Sequence, residues 1–94
     1  MAKIRLKLLN YFNLTLKRSN LEYEGTIVGD VILQFVADYK DILDPRLLTD
    51  DKTDFKEEPM NILLNGRNIL YLDKYNTPLN DGDLIVLSIA IAGG

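Results

Sequence analysis

The chain contains no cysteine and no histidine. Without cysteine there is no disulfide, no thiolate nucleophile and no thiolate metal site. Without histidine the commonest general base and metal ligand is gone as well. Chemistry performed by the chain itself would have to rest on carboxylates, lysines and tyrosines, and the sequence offers no convergent acid–base pair among them. Long apolar runs are missing too, since none approaches the ~20 residues that span a bilayer. Lys3 and Arg5 precede an alternating segment rather than a continuous apolar stretch with a small-residue cleavage site. The expectation is a cytoplasmic protein with no membrane contact. Basic runs are equally scarce: the net charge is −3. Lys3, Arg5 and Lys7 alternate along one strand face, which is a modest patch and also what a solvated strand face looks like. Direct nucleic-acid binding, which requires a positive stripe, is disfavoured.

What remains is an ordinary globular composition in 94 residues, 47% hydrophobic and 27% charged, enough for one domain. A chain of this size buries only about 60–65% of its unfolded surface. Little volume is left for a deep catalytic cavity. The first segment, Lys3 to Leu8, alternates polar and apolar, the period of a half-buried strand with Ile4, Leu6 and Leu8 inward. Asn10 to Asn20, rich in asparagine, predicts a hairpin turn. Leu21 to Glu24 alternates again and ends at Gly25. Val28, Val31, Ile32, Phe35, Val36 and Tyr39 then trace one face of a helix. Thr26 is the expected N-cap, with Asp30 favoured by the dipole in the first turn. Pro45 is expected to stop the helix, because the residue before a proline is pushed out of helical geometry.

Residues 46–59 read as an irregular acidic connection, long enough to be functional or simply mobile. Asp50, Asp51 and Asp54 invite a calcium reading, but the glycine and terminal glutamate of an EF-hand loop are missing, so no metal site is expected. Met60 to Leu64 predicts a strand, Asn65-Gly66 a type I′ turn, and Arg67 to Leu72 a short returning strand. Thr77 to Asp83 is a turn cluster. Leu84 to Ile89 is apolar and β-branched, the mark of a central strand. Two strands, one helix and three further strands give an α+β fold: a mixed sheet of four to five strands with one helix on one face. Pairing the first and last strands in parallel at the centre hides the most apolar one, which is the ubiquitin-like β-grasp. The domain is expected over residues 1–89, followed by a flexible tail, residues 90–94.

That tail ends in Gly93-Gly94. Glycines carry no Cβ, so such a tail is slim enough to enter a narrow channel in another protein; two glycines also simply end many frayed termini. The surrounding motifs separate the two readings. Asn65-Gly66-Arg67-Asn68-Ile69, then Thr77-Pro78-Leu79-Asn80-Asp81-Gly82-Asp83, then an apolar strand and Ala92-Gly93-Gly94 resemble the MoaD/ThiS sulfur-carrier family. The order and spacing are similar, and the specific part lies in residues 62–94. The resemblance implies a carrier without catalysis or a bound cofactor of its own. An activating enzyme related to the ubiquitin-activating enzymes would use ATP to adenylate Gly94, and a sulfur donor would convert the acyl-adenylate to a thiocarboxylate. The sulfur would pass to a partner synthase or thiolase, for molybdopterin, a thiazole or a tRNA uridine; in some relatives the glycine is joined to target-protein lysines instead. Gly94 is the implied reactive residue and Gly93 the channel-threading one, while Asp81-Gly82-Asp83 is implied only as a turn.

Within the family, Ile89 and Ala90 stand where molybdopterin-synthase subunits usually carry two prolines, and Ser88 where they tend to carry an aromatic. This ending looks more like the ubiquitin-related modifiers and the small archaeal modifier proteins. The thiazole branch generally lacks a connection like residues 46–59. Strand parity adds a surface: with Ile62, Leu64, Ile85 and Leu87 inward, Leu63 and Val86 point outward beside Arg5 and Lys7. With Ile91 and Ala92 of the tail they form a candidate partner-binding set. Isolated surface hydrophobes have the same signature. The rival function is a binding adaptor that uses this sheet face and never has its carboxylate activated.

Overall fold

Alternation places Ile4, Leu6 and Leu8 of β1 (Ala2–Leu8) on one side of a strand, and all three are buried. The fold around it is given by a computed structural model that describes residues 1–90. The elements follow as α1 (Asn10–Leu16), β2 (Asn20–Gly25), α2 (Val28–Tyr39), β3 (Met60–Leu64), β4 (Arg67–Asn68) and β5 (Leu84–Ile89). Three single 3-10 turns, Pro45–Leu47, Ile69–Tyr71 and Lys74–Asn76, lie in the connections. The five strands form one mixed sheet in the order β2-β1-β5-β3-β4, with β1 and β5 parallel at its centre. The amphipathic face of α2, Val28, Val31, Ile32, Phe35 and Val36, covers one side of it. The expected β-grasp is present.

Several local expectations are corrected. Asn10 to Asn20 is not a simple hairpin turn: it contains the seven-residue helix α1. Tertiary packing overrides local polarity here, because Phe12 is fully buried and meets Phe35 and Phe55 edge-on at ring-centroid distances of 6.0 and 5.7 Å. The neighbouring Tyr11 hydroxyl accepts the Asp44 amide at 2.7 Å. The N-cap of α2 is Ile27 rather than Thr26. Asp30 serves the helix start instead, its carboxylate accepting the Thr26 and Ile27 amides at 2.8 and 3.2 Å. The helix also ends before Pro45. The amides of Ile42 and Leu43 both donate to the Tyr39 carbonyl, tightening the last turn. Asp44 is extended as a pre-proline residue should be, with ψ 122°.

The acidic connection is ordered rather than irregular. Leu48 and Phe55 form a β-bridge, and Leu47, Leu48 and Phe55 close one end of the core. Burying each such side chain is worth about 1.5–3 kcal/mol, which outweighs the polarity of the residues between them. Its carboxylates do turn work. Asp51 accepts the Thr49 and Thr53 hydroxyls, each at 2.7 Å, and these bonds hold its pKa down. Likewise β4 is only two residues long, because the Asn68 side chain accepts the Leu70 amide at 2.9 Å and starts a 3-10 turn that buries Ile69. The Asn65-Gly66 turn forms as expected, with both φ angles positive at 50° and 87°.

One contact ties the connection to the rest of the fold and has a pH signature. Tyr75 donates its phenolic proton to Asp54 at 2.7 Å. Burial first, and then the bond to Asp54, raise the phenol pKa above its ordinary 10.0. The folded state therefore holds this proton more tightly than the unfolded chain. Its contribution is complete below pH 10.0 and declines as the pH rises beyond it. Tyr75→Phe is expected to show a shallower loss of stability between about pH 9 and 11 than the parent, measured by urea unfolding. Tyr23, raised by burial and by its bond to Asp38, supplies a residual slope in both proteins. Equal slopes would mean that the Tyr75–Asp54 bond does not persist in solution.

Candidate functional site

The family turn motif is a set of side chain to main chain bonds that locks the start of β5 beside β1 and β3. Asp81 Oδ1 accepts the Lys3 amide at 2.8 Å, and the Gly82 amide donates to the Lys3 carbonyl at 2.9 Å. Gly82 has φ 86°, which a residue without a Cβ adopts cheaply. Asp83 accepts the Asn80 amide with one oxygen at 2.8 Å and the Asn65 side-chain amide with the other at 2.9 Å. Asn65 in turn accepts the Leu84 amide at 2.9 Å. The two motifs quoted from the sequence, Asn-Gly and Asn-Asp-Gly-Asp, are thus one bonded corner. Upstream of it, Val28 donates to the Thr77 carbonyl and Leu79 to the Thr26 carbonyl, so the same segment also fixes the start of α2.

From that corner β5 runs through the middle of the sheet and delivers the chain to Ala90 at the opposite end. The four residues beyond, including Ile91, Ala92, Gly93 and Gly94, lie outside the described residues.

The face of the sheet away from α2 carries the rest of the candidate set. Leu63 pairs in register with Val86, and Val86 with Lys7 on its other side. Arg5 lies opposite Leu84. Leu63, Val86 and Leu84 are half-buried, and Arg5 and Lys7 are exposed. The structure therefore brings Leu63, Val86, Arg5 and Lys7 into adjoining columns. Across the sheet, an acidic column (Glu22, Glu24) is followed by a basic one (Lys3, Arg5, Lys7), an apolar one (Leu84, Val86) and then Leu63. Leu84 was missing from the sequence-derived set although it sits two residues before Val86, where strand parity alone places it.

Four more residues of this region were not legible in sequence. Ser88 follows Val86 in the same column but is only 8% exposed. Asn61 donates to its hydroxyl at 3.4 Å and accepts from Asn68 at 3.1 Å, so a chain of small polar groups crosses three strands beside the tail end of the sheet. Their spacing, 27 and 7 positions apart, has no local pattern. Asn10 is the fourth, and its side chain bonds both main-chain groups of Ile89.

No protein-family model matches the chain. Over 71 residues it is 39% identical to small archaeal modifier protein 3 of Haloferax volcanii, an alignment covering 76% of this chain and 73% of that protein. Its fold superimposes on the solution structure of small archaeal modifier protein 1 from Methanosarcina acetivorans with a TM-score of 0.82 at 30% identity, covering 100% of this chain and 98% of that one. Urm1 from Trypanosoma brucei has the same fold, with a TM-score of 0.61 and 19% identity, covering 98% of this chain and 95% of that one. The first two are small archaeal modifier proteins, and all three share the ubiquitin-like β-grasp fold, as the sequence motifs imply. Among the described residues no helix is long and apolar enough to cross a membrane.

Proposed function

Because this chain belongs to the small archaeal modifier family of ubiquitin-like proteins, we propose that it is a carrier whose terminal glycine is activated and then transferred. In this reading the Gly94 carboxylate attacks the α-phosphorus of ATP on an activating enzyme, pyrophosphate leaves, and an acyl-adenylate remains. A persulfide sulfur donor displaces AMP to give an acyl disulfide. A second thiol of the donor system then attacks the donor sulfur, forming a disulfide with it and releasing the glycine as a thiocarboxylate. Alternatively a target lysine displaces AMP, gives up a proton and forms an isopeptide bond. The chain is then a substrate, working in the cytoplasm, where ATP and the enzyme are available.

The observation that carries this reading is the joint arrangement of family likeness and motif order. A 39% identical modifier, the bonded Asn-Gly and Asp-Gly-Asp corner, and a Gly-Gly sequence after the central strand occur together. The Leu84/Val86/Leu63 patch with its Arg5/Lys7 edge fits the enzyme or synthase that must grip the domain while the tail reacts. An apolar centre with a charged rim is how such surfaces are built.

Intact mass spectrometry of the protein purified from its native host tests the proposal. A form about 16 Da heavier, oxygen exchanged for sulfur, supports the carrier branch. Tryptic peptides in which residues 75–94, which contain no lysine or arginine, remain joined through Gly94 to lysines of other proteins support the conjugating branch. Neither form, under sulfur-replete and sulfur-starved growth alike, overturns the proposal. The acceptor is read from the same host: loss of thiolated tRNA uridine in a deletion strain marks one route, and loss of molybdopterin-dependent activity the other.

The docking face makes its own prediction. Leu63→Asp places a charge within the apolar patch, beside Val86, and is expected to weaken binding to the activating enzyme by at least about 2 kcal/mol, on the order of thirtyfold in Kd. Calorimetric titration reads it. An unchanged Kd with an intact fold would remove the sheet face from the interface.

A further inference from the structure

The root of the tail is held on both edges, and one of the two holds is a side chain. Ala90 donates its amide to the Pro59 carbonyl at 2.8 Å, on the β3 side of the strand. Main-chain groups alternate in direction along a strand, so the amide and carbonyl of Ile89 face the opposite edge. There β1 should continue: Leu8 pairs with Leu87, and extending that register puts residue 10 beside residue 89. The main chain does not continue, because it turns into α1 at Asn10, which has φ 40°. The Asn10 carboxamide takes its place. Its Nδ2 donates to the Ile89 carbonyl at 3.1 Å and its Oδ1 accepts the Ile89 amide at 3.2 Å. The same Oδ1 accepts the Tyr11 amide at 2.7 Å, which fixes the side chain to the start of α1.

We infer that Asn10 is a positioning residue for activation of the C-terminal glycine: by completing the β1–β5 ladder with its side chain, it sets where the tail leaves the sheet relative to the docking face. The inference rests on the function proposed above. From Ala90 to Gly94 there are four residues, a reach of at most about 13–14 Å. Over so short a tether, the position and direction of its root govern where the carboxylate arrives. An enzyme that grips the Leu63/Val86 face while its channel takes the tail requires the two to keep a fixed relation. If Ile89 and Ala90 fray from the sheet, the enzyme must supply that order itself, at the cost of orientation in the reacting complex.

Asparagine suits the position because it is among the few residues with a Cβ that tolerate left-handed backbone, and its amide presents a donor and an acceptor as a peptide unit does. Asn10→Gly keeps the backbone unstrained and removes the amide. Asn10→Asp keeps the acceptor for Ile89 and Tyr11 and loses the donor.

The test compares the parent, Asn10→Gly and Asn10→Asp in ATP–pyrophosphate exchange with the adenylating enzyme of the same host, alongside amide hydrogen exchange. The expected result for Asn10→Gly is a fall in kcat of roughly ten- to a hundredfold with KM unchanged within about threefold. Asn10→Asp falls between it and the parent. Exchange at the Ile89 and Ala90 amides accelerates in Asn10→Gly, while the amides at the centre of β1 and β5 keep their protection. Equal kcat and KM in parent and Asn10→Gly overturn the inference. So does faster exchange throughout the sheet, which would make the residue merely structural. If the parent is not adenylated at all, the proposed function falls, and unchanged exchange at Ile89 and Ala90 in Asn10→Gly would still refute the clamp separately.

Discussion

Deleting Gly94, or extending the chain by one alanine, is expected to reduce adenylation by the activating enzyme at least about a hundredfold without altering the fold. One residue of extended chain spans about 3.3–3.6 Å. Reacting atoms must meet within roughly the same distance. A single deletion therefore withdraws the carboxylate by a full reaction distance, and a single addition carries it past the α-phosphate while placing a Cβ where glycine had none. The sheet and α2 are complete by Ile89, so both variants should keep the parent Tm within about 2 °C, in the range of surface changes. Pyrophosphate exchange measures the first quantity and calorimetry the second. Full activation of either variant would mean that the terminal glycine is not the reacting residue, and the adaptor reading would replace the carrier one.

Phe12→Ala is the second large effect, and it acts on stability. Phe12 is 0% exposed and packs edge-on against Tyr11, Phe35 and Phe55. It joins three pieces of chain, α1, α2 and the acidic connection, at one end of the core. Removing a buried phenyl ring costs about 3–5 kcal/mol, from lost transfer energy and from the cavity left behind. A domain of this size has on the order of 5–15 kcal/mol in total. The Tm should fall by roughly 10–30 °C. Phe12→Leu, which fills most of the space, should lose less than half as much. Urea unfolding checks both. A loss below about 1 kcal/mol for the alanine variant would mean that α1 does not form part of the core.

That same aromatic cluster marks the boundary of what sequence reading could reach. Two of its rings, Phe12 and Phe55, lie in segments that read as a turn and as an irregular connection, because asparagines surround one and carboxylates the other. A single ring among polar residues has no period, and only its partners elsewhere in the chain make it a core residue. Leu47 and Leu48 were hidden in the same way. By contrast the period-2 alternation of β1 and β2, the apolar β-branched run of β5 and the three-and-four spacing of α2 are local consequences of residue type and backbone geometry, visible without any tertiary knowledge. The Asn65-Gly66 turn was equally visible, since its two positive φ angles require those residue types.

By itself the sequence determined the α+β class, the parallel central pair, the inward and outward residues of the main strands, and the absence of cysteine and histidine chemistry. It also supplied the motif order that points to Gly93 and Gly94. Each of these depends on residue type, or on intervals short enough for one element to contain. Only the tertiary structure decided that the Asn-Gly and Asp-Gly-Asp motifs form one corner through Asn65 and Asp83, which are 18 positions apart. It alone showed Leu84 joining Leu63 and Val86, and Asn10 standing in for a missing strand residue beside Ile89, 79 positions away. The reason is physical: hydrogen-bond partners and packing neighbours are chosen by proximity in the folded chain, and a bond across such a distance leaves no pattern in the sequence until the sheet has brought its two ends together.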